Sequence, residues 1–146
     1  MIEATVLLVD DEVAFVETLV KRLSKRELRV EAVHSGQEAL DHLAGDGPAR
    51  TDVVILDVKM PGMDGLEALS LIKENHPMVE VIMLTGHATV ESAIEGMKRG
   101  AYDYLMKPCE IDALVEKVSQ AAAKKREHES KILEARATMI SLRRGD

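Results

Sequence analysis

Apolar and polar positions follow two rhythms that take turns along this chain. "TVLLV" at 5–9 is a near-continuous apolar run of strand length. After it, Val13, Val16, Val20 and Leu23 recur at three- and four-residue intervals, which predicts a helix that buries that face. "LRVEAVH" (28–34) alternates like a less buried strand, and "SGQEALDHLAG" (35–45) offers a serine cap, a short helix and a glycine stop. "DVVIL" (52–56) is the next strand, and "DGLEALSLIKENH" (64–76) a helix that ends before Pro77. Its end follows from the clash that drives a residue preceding proline out of helical geometry. "VEVIML" (79–84) is a strand, and "ATVESAIEGMKRG" (88–100) a helix with Val90, Ala93, Ile94 and Met97 expected inward. "YDYLM" (102–106) is the fifth strand, and a last helix opens at "EIDALVEKVSQAAAKK" (110–125).

Five strand–helix units at intervals of about 20–25 residues predict an α/β fold, a doubly wound parallel sheet with helices on both faces. The strands are nearly all apolar because a central parallel strand is buried on both sides. The residues just past the strands are then informative. "LLV" runs into Asp10 and Asp11, "VIL" into Asp57, "IML" into Thr85 and "YLM" into Lys107; only the second strand lacks such an ending. In an open parallel sheet the carboxyl ends share one edge, where ligands bind at the point of strand reversal. These distant residues are therefore expected to converge.

Three carboxylates brought together repel one another and call for a cation. An all-oxygen set suits Mg²⁺, which commonly bridges to phosphate oxygens. Lys107 offers a point charge for a phosphoryl oxygen and Thr85 a hydroxyl donor. A carboxylate in that company can act as a nucleophile toward phosphorus and become an aspartyl phosphate. Each piece also has a plainer reading. "DDE" can cap a helix, Asp57 can be a loop acid, Thr85 can cap the next helix, and Lys107 can be a solvated lysine. Their coincidence on one edge of one sheet favours the joint site.

Composition narrows the field. At 146 residues with 46% apolar content, the chain can bury a core as one domain. Aromatics are 2% with no Trp, which argues against base-stacking on nucleic acid, and a net charge of −7 opposes adsorption to polyanions or anionic membranes. The single cysteine, Cys109, has no disulfide partner and reads as a packing residue. The start "MIEATVLLVDD" does not read as a secretory signal, and no apolar run is long enough for a membrane span. No direct nucleic-acid or membrane binding is expected, and a cytoplasmic setting is.

"LLVDDE", "VILDVKMPGMDG", "IMLTGHA" and "YDYLMKP" together resemble the signature of two-component response-regulator receiver domains, over residues 4 to about 123. The segment "TGHATVESAIEGMKRGAYDYLMKP" is most similar to receivers of the nitrogen-regulation type, which precede ATPase and DNA-binding domains in enhancer-binding activators. The resemblance implies a flavodoxin-like strand order 2-1-3-4-5. It implies that Asp57 accepts a phosphoryl group from a sensor histidine kinase, and that Asp10, Asp11 and Asp57 hold Mg²⁺ with the backbone carbonyl of Lys59. Thr85 and Lys107 would contact the phosphoryl oxygens. Thr85 and Tyr104 would form the switch that remodels the surface of the fourth helix, fifth strand and last helix, controlling an output domain or effector in transcription. A cis Lys107–Pro108 bond is also implied. Lys59 and His87 occupy the positions that tune phosphoryl lifetime, and neither suits orienting an attacking water, so a long-lived phosphoryl group is expected. The chain is then a phosphoacceptor signalling domain, with only self-phosphorylation and slow autodephosphorylation as activities of its own. An aspartate-nucleophile phosphatase of the haloacid-dehalogenase kind would need an acid two residues after the nucleophile, where Lys59 stands. No glycine-rich phosphate loop of the nucleotide-binding kinds occurs.

The helical pattern continues past the receiver resemblance, with neither Gly nor Pro from Glu110 to Arg144. The division expected is a receiver at 1–123 and a helical extension at 124–146. Heptad positions 111, 118, 125, 132, 139 and 114, 121, 128, 135, 142 are mostly apolar, interrupted at Lys125 and His128. Early seam residues can instead face the sheet. The extension reads as a parallel dimerisation helix giving a homodimer, as a linker to an absent output domain, or as a frayed amphipathic helix. "KKR" (124–126) and "RR" (143–144) read as solvated helix face.

Overall fold

The computed structural model describes residues 3–45 and 51–145. Strands β1 (Ala4–Val9), β2 (Leu28–Val33), β3 (Val53–Leu56), β4 (Glu80–Thr85) and β5 (Asp103–Met106) alternate with helices. The helices are α1 (Val13–Ser24), α2 (Gly36–Gly45), α3 (Gly65–Asn75), α4 (Val90–Lys98) and α5 (Ile111–Arg144). All four strand pairings are parallel, in the order β2-β1-β3-β4-β5. The fold class, the strand order and the long last helix expected from the sequence are all present.

The two-residue period of a strand divides the core in two. Val6 and Leu8, Val53 and Ile55, and Ile82 and Leu84 face one side, where Val16, Leu19 and Leu23 of α1 and Leu114, Val115 and Val118 of α5 cover them. Leu7 and Val9, Val54 and Leu56, and Val81 and Met83 face the other, beneath Ala39 and Leu43 of α2 and Ala68, Leu69 and Ile72 of α3. Each fully buried Val, Leu or Ile contributes roughly 1.5–3 kcal/mol of transfer free energy. The central strands are thus covered on both faces, and the site residues lie at or just past the carboxyl ends of β1, β3, β4 and the edge strand β5.

Two expectations about inward faces fail. Val13 is 52% exposed, because the first turn of α1 rises from the carboxyl edge beyond the last residue of β1; the buried row starts one turn later, at Val16. On α4, Val90, Ile94 and Met97 are 72%, 51% and 48% exposed. That helix turns its Gly96 side to the body, where an added Cβ would come within 3.3 Å of the Tyr104 ring. Ser92 reaches the same tyrosine, its Oγ 2.6 Å from the hydroxyl oxygen. Apolar spacing reveals a stripe, but not whether anything covers it.

The reading of "KKR" as solvated fails at Lys125 and holds for Lys124 and Arg126, which are exposed. Lys125 is 2% exposed and ion-paired to Asp52, 3.2 Å away, while Lys124 lies 3.3 Å from Glu80 and Arg126 3.6 Å from Asp52. The first helical stretch past Ala122 is thus tied to the sheet by charge after its apolar contacts have ended. Arg143 and Arg144 are exposed, as expected. Among the described residues, no helix is long and apolar enough to cross a membrane.

Candidate functional site

Register alone brings the strand ends together. Val9 pairs with both Val33 and Leu56, and Thr85 pairs with Met106, so Asp10, Asp57, Thr85 and Lys107 emerge side by side. The ladder runs one step further at Asp57, whose amide donates to the Val9 carbonyl at 3.0 Å. Likewise the Lys107 amide donates to the Thr85 carbonyl at 2.9 Å. The Lys107–Pro108 peptide is cis.

Asp10 and Asp57 are buried and Asp11 is exposed, yet a carboxylate oxygen from each lies within 4.8 Å of the others. The Lys107 ammonium donates to Asp10 Oδ2 at 2.6 Å and stands 3.8 Å from Asp57 Oδ2. Asp10 Oδ1 accepts from the Glu12 amide at 2.9 Å. The remaining oxygen of Asp57, Oδ1, is buried with no hydrogen-bond partner. An ionised oxygen in that state is expensive to maintain unless something positive completes it.

Electrostatics carries the same message. Burial, and then the charge of Asp10, hold the Asp57 carboxyl above the usual carboxylate range; Lys107, the Thr85 hydroxyl and the Val58 amide act in the opposite sense. For Lys107, burial by itself favours the neutral amine. The hydrogen bond and charge of Asp10, with Asp57 and Glu12, outweigh burial and raise the ammonium above its ordinary value. One lysine does not offset the acids around it.

The plainer readings of these residues do not match the geometry. Glu12 sits at the cap of α1 without a capping side-chain hydrogen bond, and no acid lies in that helix's first turn. Thr89, not Thr85, caps α4, in a capping box with Ser92. Thr85 is buried, and its hydroxyl oxygen accepts from the His87 amide at 3.0 Å. Lys59 and His87 are exposed, and Tyr104 is half-buried against α4.

Several residues at the site were not singled out by sequence. Glu12 reaches the Lys107 ammonium at 3.3 Å, and Phe15 places its ring 4.1 Å beneath it, a cation–π contact. Phe15 is the chain's one phenylalanine, and its place one helical turn after Asp11 was the available signal. Gly65 is the other omission. A Cβ there would lie 2.0 Å from the Asp57 carbonyl oxygen, and its amide donates to the Val58 carbonyl at 2.7 Å. Only glycine lets α3 start this close to the backbone of the acceptor loop. Asp64 caps that helix, accepting from the Glu67 amide at 2.9 Å.

A family model described as the response regulator receiver domain matches residues 6–119. Among curated relatives, the DNA-binding transcriptional regulator NtrC of Escherichia coli (strain K12) is 40% identical over 116 residues, 80% of this chain and 24% of that protein. The transcriptional regulatory protein ZraR of Klebsiella oxytoca is 33% identical over 140 residues, 96% of this chain and 31% of that protein. The chain thus spans about a quarter to a third of the length of these relatives. Among solved structures, NtrX of Brucella abortus superposes with a TM-score of 0.80 at 31% identity, covering 90% of this chain and 30% of that one. A CheY-like receiver domain protein from Methanospirillum hungatei JF-1 gives 0.80 at 26% identity, covering 87% and 99%.

Proposed function

The chain belongs to the response regulator receiver domain family, and from that premise we propose that Asp57 accepts a phosphoryl group from the phosphohistidine of a sensor kinase in a two-component pathway. The observation that carries this reading is the buried, partnerless Oδ1 of Asp57 beside two further acids and a lysine. Asp10, Asp11 and Asp57 would hold Mg²⁺, with the backbone carbonyl of Lys59 as a further ligand. The fit is supported by the all-oxygen donor set and by the uncompensated negative charge around Lys107. When bound, the ion supplies positive charge to the nucleophile and to the transferring group.

The chain's own residues do the rest. A carboxylate oxygen of Asp57 forms a bond to phosphorus as the phosphorus–nitrogen bond breaks and the imidazole departs with its electron pair. Lys107, held between Asp10 and the Phe15 ring, would move from acid to phosphoryl oxygen. Thr85 would release the His87 amide and turn its hydroxyl to the new group. Tyr104 would exchange its Ser92 partner for the space Thr85 leaves, altering the face built from α4, β5 and α5. A phosphoryl group adds about −1.5 to −2 charges and three acceptor oxygens, enough to drive such a rearrangement.

That face would control an output domain or effector protein in transcription, in the cytoplasm, without direct contact between this chain and nucleic acid or membrane. The extension of α5 would pair with that of a second copy as a parallel dimer, or link to the output domain. Exposed Lys59 and His87 are poor at orienting water, so the phosphoryl group would be long-lived. The test is incubation with Mg²⁺ and acetyl phosphate, read by intact mass. Wild type gains one phosphoryl and Asp57→Asn gains none; equal gain in both overturns the assignment.

A further inference from the structure

The amino edge of the sheet, opposite the acid cluster, carries a second buried ionic group. Asp52 immediately precedes β3, and its Oδ2 accepts from the Thr5 amide of β1 at 2.9 Å. Its Oδ1 lies 3.2 Å from the Lys125 ammonium, which also stands 3.4 Å from Glu129. Arg126 adds an ion pair to Asp52 and donates to the Glu3 carbonyl. One carboxylate and one lysine therefore join β1, β3 and α5. Apolar packing of α5 ends at Ala122, and Lys125 is the only buried residue beyond it among the described residues.

Apolar contacts are non-directional and tolerate sliding. A buried ammonium does not, because any rotation that separates Lys125 from Asp52 strands two charges out of water. We propose that this cluster is an ionic clamp that fixes the direction in which α5 leaves the domain. The helix is rigid with the sheet through Glu129 and behaves as a free helix only beyond it. The clamp also sits at one end of β3, whose other end is Asp57, roughly 16 Å away at strand rise. One buried strand thus ties the acid cluster to the departing helix. The inference does not rest on phosphorylation of Asp57, and its test uses none.

The experiment places spin labels at Lys21→Cys and Thr138→Cys in a Cys109→Ser background, diluted in unlabelled protein so that only intramolecular pairs are read. Electron–electron distance distributions are compared for the otherwise native chain, for Asp52→Asn with Lys125→Met, and for the rim pair Arg126→Gln with Glu129→Gln. The double buried replacement removes both charges together, so neither is left alone. A narrow native distribution should broaden roughly twofold in it, with amides of 124–130 exchanging about tenfold faster while those of 114–121 hold. A folded double variant with native width and native exchange overturns the clamp. If that variant loses its sheet protection, the rim pair decides: broadening supports the proposal and unchanged width overturns it.

Discussion

At the scale of single residues, Asp57 shows how a site is held against stability. Its carboxyl is pushed above the ordinary value of 3.8 by burial and by Asp10, so the folded chain binds that proton more tightly than the unfolded one. The favourable contribution is complete below the unfolded value and is lost as pH rises through the folded value. Ionised Asp57 therefore weakens the fold at neutral pH when no metal is present. Asp57→Asn should melt at a higher temperature than wild type at pH 7 in chelator, and the gap should close as pH falls toward 4. Added Mg²⁺ should raise the melting temperature of wild type more than that of the variant. Calorimetry at several pH values decides, and a gap that widens on acidification contradicts the account. Gly65 is the opposite case, a residue with no chemistry of its own. Gly65→Ala forces a methyl into the Asp57 carbonyl and should cost about 3 kcal/mol in urea unfolding, the upper end for overpacking, since backbone cannot give way as a side chain can. A loss under about 0.5 kcal/mol would show that α3 moves freely. The charged members of the site were readable in sequence because ionisable groups after apolar strands are conspicuous. Gly65 and Phe15 were not, since a close approach and a ring beneath an ammonium exist only once helices are placed.

At the scale of elements, the alternation of rhythms was legible down to boundaries within a residue or two, because two-sided burial leaves the central strands almost no polar positions. The orientation of helices was less so. The stripe of Val90, Ile94 and Met97 has the spacing of a core face, yet Gly96 and Ser92 are what touch the sheet side. Propensity and periodicity describe a helix alone; which face is covered depends on how near a neighbour can approach, and glycine permits the nearest. Ile94→Ser should therefore change stability by no more than about 0.5 kcal/mol, whereas Ile82→Ala in β4 should cost roughly 2–5 kcal/mol. Similar losses at both positions, measured by urea titration, would mean that α4 is packed by that stripe after all. Lys125 shows the reverse error: a lysine in a polar run reads as solvated, and only Asp52, far upstream, explains its burial. Lys125→Met alone leaves buried Asp52 with the Thr5 amide and, as its one remaining cation, the partly exposed Arg126, and should cost about 3 kcal/mol, the low end for breaking such a pair. Asp52→Asn added to it should recover most of that loss.

At the scale of the whole molecule, the question is what the free part of α5 does. Positions 118, 121 and 125 of the heptad seam are buried within the protomer, so a partner helix can only use Ile132, Ala135, Met139 and Leu142. Two heptads with an alanine at one core position make a weak seam, and a short isolated helix is itself marginal in water. In a parallel, in-register pair with Ile132 and Met139 at the first core position, Lys131 of each copy faces Arg136 of the other, a like-charge contact repeated twice. Salt screens such exposed charges, its reach falling from about 10 Å at 0.1 M to about 3 Å at 1 M. The proposed dimer should consequently tighten as ionic strength rises, opposite to a zipper held by opposite charges. Light scattering across a concentration series should show the dimer fraction growing from 0.1 to 1 M salt. Met139→Glu, which places a carboxylate in the seam, should leave a monomer at every salt concentration. A native chain that stays monomeric with and without acetyl phosphate removes the pairing and leaves the linker and the frayed amphipathic helix as the readings of the extension. A dimer that weakens with salt would instead mean that oppositely charged surfaces, and not this seam, hold the copies together.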